Sequence, residues 1–409
     1  MKILWVKCDF LHPTDKGGQI RTLEMLRRLH LRHEIHYVAY ADPAQPEGPR
    51  RSSEYSTRAY PIPLNVPPRA SLAFAAQALR NLFSSLPLSL ERYVSAQMRQ
   101  QVEQLILRER FDGVVCDFLS AAPLLPDMRG CLLFQHNVET MIWRRHVENA
   151  GSPLGRKYFG LQAGRMFRYE RDTCRRAGGI VAVSENDSTT MAQLFDIPQP
   201  PAIPTGVDIE YFAPPAEPAQ PLRDLVFIGS MDWMPNIDGI RWFVEDVLPR
   251  IRARRPDCTL TIAGRKPTSA ITELAARDSR ILVTGGVPDI RPYVWGAAVS
   301  IVPLRIGGGT RLKIYESMAA RVPVVSTSIG AEGLAIHPPL DIRIADTAEE
   351  FAAQCLALLE NPQQRNDTAD AAWRMVAENF SWESVAQQFE RILLNTNPKS
   401  SPESDSRRS

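Results

Sequence analysis

Short apolar runs separated by helix-period segments, in a pattern that restarts after a proline-dense break, constrain this chain more than any other feature. Met1–Val6 is apolar and is followed by a long loop, CDFLHPTDKGGQ. A segment with Ile20, Leu23, Leu26 and Leu29 on one side comes next. Ile35–Ala39, Phe111–Cys116, Cys131–Phe134 and Gly179–Val183 are further apolar runs. Apolar runs spaced by helices predict βαβ units and a parallel sheet covered on both faces. Between residues 198 and 221 stand eight prolines, from Pro198 to Pro221, too dense for helix or central sheet. Beyond them the alternation resumes with Asp224–Gly229, a helical Ile237–Ile251, and strands at Leu260–Ala263, Ile281–Thr284, Ala298–Pro303 and Pro323–Ser326. Helices are expected at Thr310–Ala320, Ala348–Leu359, Ala369–Asn379 and Ser381–Leu394.

The expected fold is α/β: two tandem Rossmann-like doubly wound domains. An N-terminal domain over 1–205 and a proline-rich linker over 206–222 precede a C-terminal domain over 223–380. A helix over 381–396, expected to return to the N-terminal domain, and a disordered tail over 397–409 complete the chain. A length of 409 residues suits two domains. In such sheets ligands bind at the carboxyl ends of the strands, so the site is expected in a cleft between the domains.

Charge and cysteine content narrow the function. Lys+Arg number 48 and Asp+Glu 46, a net charge of +2, which argues against a dedicated nucleic-acid binder. The six cysteines form no C-x-x-C pair and no cluster with histidine, so they read as reduced thiols of a cytoplasmic protein. The first residues, MKILWV, read as a strand rather than a signal peptide, and no apolar run is long enough to span a membrane.

The segment richest in chemistry is PLRIGGGTRLKIYESMAARVPVVSTSIGAEGL, Pro303–Leu334. Gly307, Gly308 and Gly309 follow a strand, and Thr310 opens a helix. Glycines allow close backbone approach, and the unpaired N–H groups and dipole of a helix start favour an anion. Arg311 and Lys313 add positive charge there, and Glu316 suits a ribose diol better than a phosphate.

This segment resembles the nucleotide-sugar site of glycosyltransferases with the two-Rossmann-domain (GT-B) fold, in particular the retaining family 4. Further resemblances follow in order: KGGQIR (Lys16–Arg21), HNVE (His136–Glu139), VAVSE (Val181–Glu185), IPTGVDIEYF (Ile203–Phe212), FIGSMDWMPNIDGIRWF (Phe227–Phe243) and VTGGVPDIRPY (Val283–Tyr293). The resemblance implies a transfer of sugar from a nucleoside-diphosphate sugar to a glycan or lipid-linked hydroxyl, with retained anomeric configuration and no metal or other cofactor. It implies that Gly17 and Gly18 approach the donor diphosphate, that His136 contacts the donor sugar, and that Glu316 binds the ribose. It also implies that Gly285, Gly286, Val287 and Pro288 run past the base, while Gly229 closes the first donor-domain strand. His136, Arg311 and Lys313 become the expected catalytic groups. Two departures stand out. Gly308 replaces the first carboxylate of the family's E-x7-E motif, and Ser230 and Asn236 stand where basic residues are common. Arg311 and Lys313 are the expected substitutes, with Arg265 and Lys266 a second choice.

Rival readings fare less well. An NAD(P) oxidoreductase lacks G-x-G-x-x-G after its first strand, and a hydrolase lacks G-x-S-x-G. An epimerase needs acid/base residues that the sequence does not place. A glycan phosphorylase usually carries a pyridoxal lysine in a much longer chain. A non-catalytic nucleotide-sugar-binding partner of a polysaccharide assembly complex is the alternative that the missing first Glu keeps open. Finally, the apolar Ser71–Leu90 and the arginine-rich 141–176 suggest peripheral contact with the inner face of an anionic membrane.

Overall fold

A computed structural model describes residues 1–14, 17–63, 71–148, 150–216, 223–306 and 312–396. The chain forms two compact units: Met1–Pro204 together with the residues from Val385 onward, and Thr205–Ser384.

The first unit holds six strands: β1 (Lys2–Val6), β2 (Glu34–Ala41), β3 (Arg58–Pro63), β4 (Gly113–Asp117), β5 (Cys131–Phe134) and β6 (Gly179–Val181). They lie in the order β3-β2-β1-β4-β5-β6, and every pairing is parallel. The chain therefore reverses its direction of winding between β1 and β4. At that switch point the loops part and leave a crevice. Both faces are buried. Leu4 and Val6 join the core beside Met98, Val102 and Leu133. Trp5, on the other face, packs 6.4 Å from Phe134 and 5.4 Å from Phe389. Phe389 lies on the last helix, Trp382–Thr396, whose Val385, Ala386 and Leu393 are also buried.

The second unit repeats the plan with β7 (Arg223–Ile228), β8 (Leu260–Ala263), β9 (Ile281–Gly285), β10 (Ala297–Val302), β11 (Val324–Ser326) and β12 (Arg343–Ile344). Their order, β12-β11-β10-β7-β8-β9, again places the switch beside the unit's first strand, between β7 and β10. Alternate residues of β7 serve opposite faces: Leu225 and Phe227 one core, Val226 and Ile228 the other. Each is at most 4% exposed, the mark of a strand covered on both sides. The stretch from Thr205 packs within this unit. Val207 donates its N–H to the Phe380 carbonyl, and Gly206 lies flat on Trp382, where a Cβ would come within 2.6 Å of the indole.

The alternation expected from the sequence is thus present in both halves, with two additions. The edge strands β3 and β12 lack a sequence signal, because β3 carries Pro61 and Pro63 and β12 is two residues long. The helical stretch Ile237–Ile251 is also not one uniform helix. It runs as Met234–Trp242, a π turn over Phe243–Val247, and Leu248–Arg252. Pro249 has no N–H to continue the ladder, and the wider turn keeps Phe243, Val247 and Ile251 all buried. Residues 217–222 of the expected linker and the tail 397–409 lie outside the described residues.

Candidate functional site

Each unit gathers its unusual side chains at its own switch point. In the first unit the centre is Asp117, the last residue of β4, which is fully buried. Four groups converge on its carboxylate. Trp5 Nε1 donates to Oδ2 at 2.9 Å, Thr22 Oγ1 to Oδ2 at 2.8 Å and His136 Nε2 to Oδ1 at 2.7 Å. Lys7 Nζ lies 3.1 Å from Oδ2. Lys7 follows β1 directly, Thr22 lies on the helix Gly17–His30, and His136 follows β5. The sheet order alone brings these sequence-distant residues to one point.

This arrangement fixes the charge state. Burial pushes the Asp117 carboxyl upward, but Lys7, His136 and the Trp5 indole outweigh it and hold it below the usual range. Burial drives the His136 imidazole down to about 4, opposed by Asp117 and reinforced by Lys7 and Arg21. At neutral pH His136 is therefore uncharged. With Nε2 donating to an ionised carboxylate, its other nitrogen, Nδ1, is the acceptor. Arg21 Nη1 sits 3.4 Å from that nitrogen.

Phe118 completes the cluster at a cost. Its φ of 71° and ψ of 149° place a non-glycine residue in a region normally reserved for glycine, worth about 1–3 kcal/mol of strain. The strain holds its ring flat on His136, with centroids 3.8 Å apart and planes 5° apart, and under Lys7 Nζ at 4.0 Å. Gly18 makes room for the stack, since a Cβ there would come within 2.5 Å of Phe118. The glycine loop and the histidine segment singled out in the sequence therefore meet at one place. Lys16 lies outside the described residues, and a Cβ at Gly17 would meet nothing within 4 Å.

The HNVE segment is anchored by a group that sequence reasoning missed. Glu170, on the long helix Pro153–Arg176, is fully buried. It accepts from the Glu139 N–H at 2.9 Å, the Thr140 N–H at 2.7 Å, the Thr140 hydroxyl at 2.6 Å and Gln135 Nε2 at 2.6 Å. A carboxyl placed this way caps the helix Glu139–Glu148 and fixes the turn carrying His136. Burial pushes its pKa to about 7 against those donors. Glu170 and Asp117 carry no sequence signal of their own, because each is a lone acid whose partners come from distant elements.

In the second unit the carboxyl ends of β7, β8 and β9 hold Gly229, Gly264 and Gly285. Gly264 packs against Gly229, where a Cβ would clash with the Gly229 carbonyl oxygen at 1.7 Å. Gly285 adopts φ +69°, which disfavours any side chain, and Gly286 lies beside Arg265, where a Cβ would stand 3.7 Å from the Arg265 Cβ. Val287 and Pro288 continue this edge. Lys313, on the helix Leu312–Ala319 after β10, reaches across the switch point. Its Nζ donates to Asn236 Oδ1 at 3.1 Å and lies 4.3 Å above the Phe227 ring. A Cβ on Gly229 would come within 2.7 Å of that ammonium. Glu316, one turn along the same helix, has its pKa raised by burial, with Lys313 opposing.

Two positions lacking an expected basic residue, Ser230 and Asn236, each bind one supplied from elsewhere. Arg265 Nε donates to Ser230 Oγ at 3.2 Å, and Asn236 receives Lys313. Lys266, the companion of Arg265, instead pairs with Asp232 at 3.4 Å. Gly307, Gly308, Gly309, Thr310 and Arg311 lie outside the described residues.

A glycine-lined strand edge with a lysine held over it is an arrangement that an anion can approach closely. Residues 223–361, which contain this edge, match the family of glycosyl transferases group 1. The chain carries a group 1 glycosyl transferase domain. Over 94% of its length it is 23% identical to an uncharacterised 44.6 kDa protein of the cps region of Klebsiella pneumoniae, of which 97% is covered. It is 26% identical to O-antigen chain mannosyltransferase B of Escherichia coli, over 51% of this chain and 58% of that protein. The Anabaena protein HepE, solved in complex with UDP, superposes with a TM-score of 0.61 at 14% identity, covering 97% of this chain and all of that one. That likeness shows the GT-B fold. The protein is a glycosyltransferase with two Rossmann-like units.

Proposed function

We propose that this glycosyltransferase moves a sugar, with retention at the anomeric carbon, from a nucleoside-diphosphate sugar to a hydroxyl of a polysaccharide or glycolipid during cell-surface polysaccharide assembly. The observation that carries the reading is the Lys313 ammonium held beside Gly229 at the carboxyl edge of the second unit's sheet. When the sugar–phosphate bond breaks, the nucleoside diphosphate gains negative charge. A fixed cation and preorganised backbone N–H groups stabilise that charge most where water is excluded. Lys313, aided by Arg265 and by Arg311 with the Gly307–Thr310 stretch, supplies this stabilisation, and no divalent cation is required. Glu316 takes the ribose diol, and the Gly285–Pro288 turn passes the base. His136, neutral and held through Nε2 by Asp117 and through Nδ1 by Arg21, puts no charge beside the donor sugar, while Gly17 and Gly18 border it. The names of two relatives, a cps-region protein and an O-antigen mannosyltransferase, support the polysaccharide role.

Contact with an anionic membrane surface belongs to the same reading. The helix Leu72–Asn81 and the turn after it expose apolar side chains: Leu72 and Phe83 are each 91% exposed, and Leu79 is 64% exposed. The helix Pro153–Arg176 bonds to its end, through Arg165 Nη1 to the Asn81 carbonyl at 2.7 Å. That helix exposes Leu154 beside Arg156 and Lys157. Outward leucines among cations suit a headgroup layer. Among the described residues no helix is long and apolar enough to cross a membrane.

A screen of UDP-, GDP- and ADP-sugars for thermal stabilisation and donor hydrolysis, with and without EDTA, tests the proposal. One nucleotide class is expected to stabilise the protein and to be turned over in both conditions. Absence of binding to all of them contradicts the proposal, and turnover abolished by EDTA contradicts its metal-free form.

A further inference from the structure

The side chains that support Asp117 and His136 from below include one from the far end of the sequence. β4 lies between β1 and β5, with Trp5 paired to Val115 and Phe134 to Asp117. Side chains alternate along a strand, so Trp5, Val115, Asp117 and Phe134 all leave the sheet on one face. Against that face packs the last helix, whose residues from Val385 onward belong to this unit. Its Phe389 ring is fully buried, 5.4 Å from Trp5 and 5.1 Å from Phe134. We infer that Phe389 is a positioning residue for sugar transfer, acting on His136 through Trp5 and Phe134. The inference rests on the reading that His136 stands beside the donor sugar, and adds the group that holds it there.

Two routes lead from the Phe389 ring to the imidazole. The first runs through Trp5, whose Nε1 donates to Asp117 Oδ2 at 2.9 Å while Asp117 Oδ1 accepts from His136 Nε2 at 2.7 Å. The second runs through Phe134, which meets Phe389 edge-on at 62° and lies against His136 with centroids 4.3 Å apart. Trp5 and Phe134 are themselves fully buried, so close packing holds each ring in one orientation. Emptying the Phe389 site leaves a void that these rings fill only by turning. A turn of the indole carries its N–H away from Asp117, and a turn of Phe134 releases one side of the imidazole.

The helix is fixed at points that do not touch the cluster. Glu390 accepts from Arg32 Nη2 at 2.9 Å and lies 2.8 Å from His33 Nε2. Leu393, one turn beyond Phe389 and also buried, packs over Gly113, where a Cβ would come within 3.1 Å of its Cδ1. Gly113 begins β4 and Asp117 ends it, about 13 Å apart at strand spacing. Loss of the Leu393 side chain therefore weakens the same helix without reaching His136.

The full chain and its variants Phe389→Ala, Phe389→Leu and Leu393→Ala separate positioning from stability. Each is measured for thermal unfolding, for affinity toward UDP, GDP and ADP, and for turnover of UDP-glucose, GDP-mannose and ADP-glucose. The ring-nitrogen resonances of His136, which follow its hydrogen bonds and are identified by their loss in His136→Gln, are recorded on 15N-labelled protein. Phe389→Ala and Leu393→Ala should both lower the melting temperature, since each empties a buried site. Only Phe389→Ala should also shift the His136 resonances and lower kcat about tenfold, with donor KM and nucleotide affinity within about twofold. Phe389→Leu keeps apolar volume but no ring; it should shift the same resonances and lower kcat about threefold, and it carries the test should Phe389→Ala fail to fold. His136 resonances unmoved in the Phe389 variants, or a fall in kcat as large in Leu393→Ala, overturn the inference while nucleotide binding and the transferase reading stand. Absence of nucleotide binding and turnover in the unaltered protein instead overturns the reading on which the inference rests.

Discussion

Two single residues of the first unit, one through its charge and one through its lack of a side chain, make measurable predictions. His136 takes up its proton near 4 when folded but near its ordinary 6.5 when unfolded. The unfolded chain therefore binds the proton first as pH falls, and stability rises with pH across that interval. Thermal or urea unfolding between pH 6.5 and 4 should show roughly 3 kcal/mol lost through this group. His136→Gln keeps an N–H for Asp117 but cannot titrate, so its acid limb should be flatter; an identical acid limb would refute the assignment. Gly18 is the second case. Its Cβ would meet the Phe118 ring at 2.5 Å, and Phe118, held at φ 71°, has little freedom to retreat. Gly18→Ala should displace the Phe118–His136 stack and lower transfer about tenfold to a hundredfold, with little change in nucleotide affinity. Unaltered transfer would show that the stack is not part of the machinery. The sequence marked Gly18 and His136 as site residues, but not Asp117 or Lys7, which join them. A buried ion pair between residues 110 apart has no local pattern, and it becomes visible only once β1 and β4 lie side by side.

Elements show where local pattern suffices and where tertiary packing decides. Fully buried strands such as β1, β7 and β10 read as continuous apolar runs and were legible from sequence. The edge strand β3 was not, because its prolines satisfy an edge position while erasing the signal. The stretch Met234–Arg252 has helical periodicity, but the π turn at Phe243–Val247 follows from Pro249 and from the core it must fill. The exposed apolar side chains of Leu72, Leu79 and Phe83 belong to this scale as well. If they meet lipid, the protein should sediment with vesicles rich in anionic phospholipid at low salt and be released at high salt. Leu79→Glu with Phe83→Glu should abolish the sedimentation, and no binding at low salt would remove the membrane from the account.

At the scale of the molecule, each half has the strand order that reverses beside its first strand, and each places a lysine at that reversal: Lys7 in one, Lys313 in the other. The shared plan serves different ends. The first unit spends its lysine on a buried carboxylate and so builds a rigid, neutral-histidine wall. The second holds its lysine over a glycine edge, where an anion can approach. The two-domain fold was legible because the apolar alternation is repeated on both sides of a proline-dense break. The relocation of positive charge from positions 230 and 236 was legible in outline, since Lys313 and Arg265 stand among the expected substitutes; which partner each meets was not, because the contacts come from the turn after β8 and from the helix after β10. The most direct test is calorimetric titration of Lys313→Ala with the nucleoside diphosphate that binds the unaltered protein most tightly, and with the matching nucleoside. The account predicts a loss of about tenfold or more for the diphosphate and none for the nucleoside; equal affinities for the diphosphate in both proteins would contradict it.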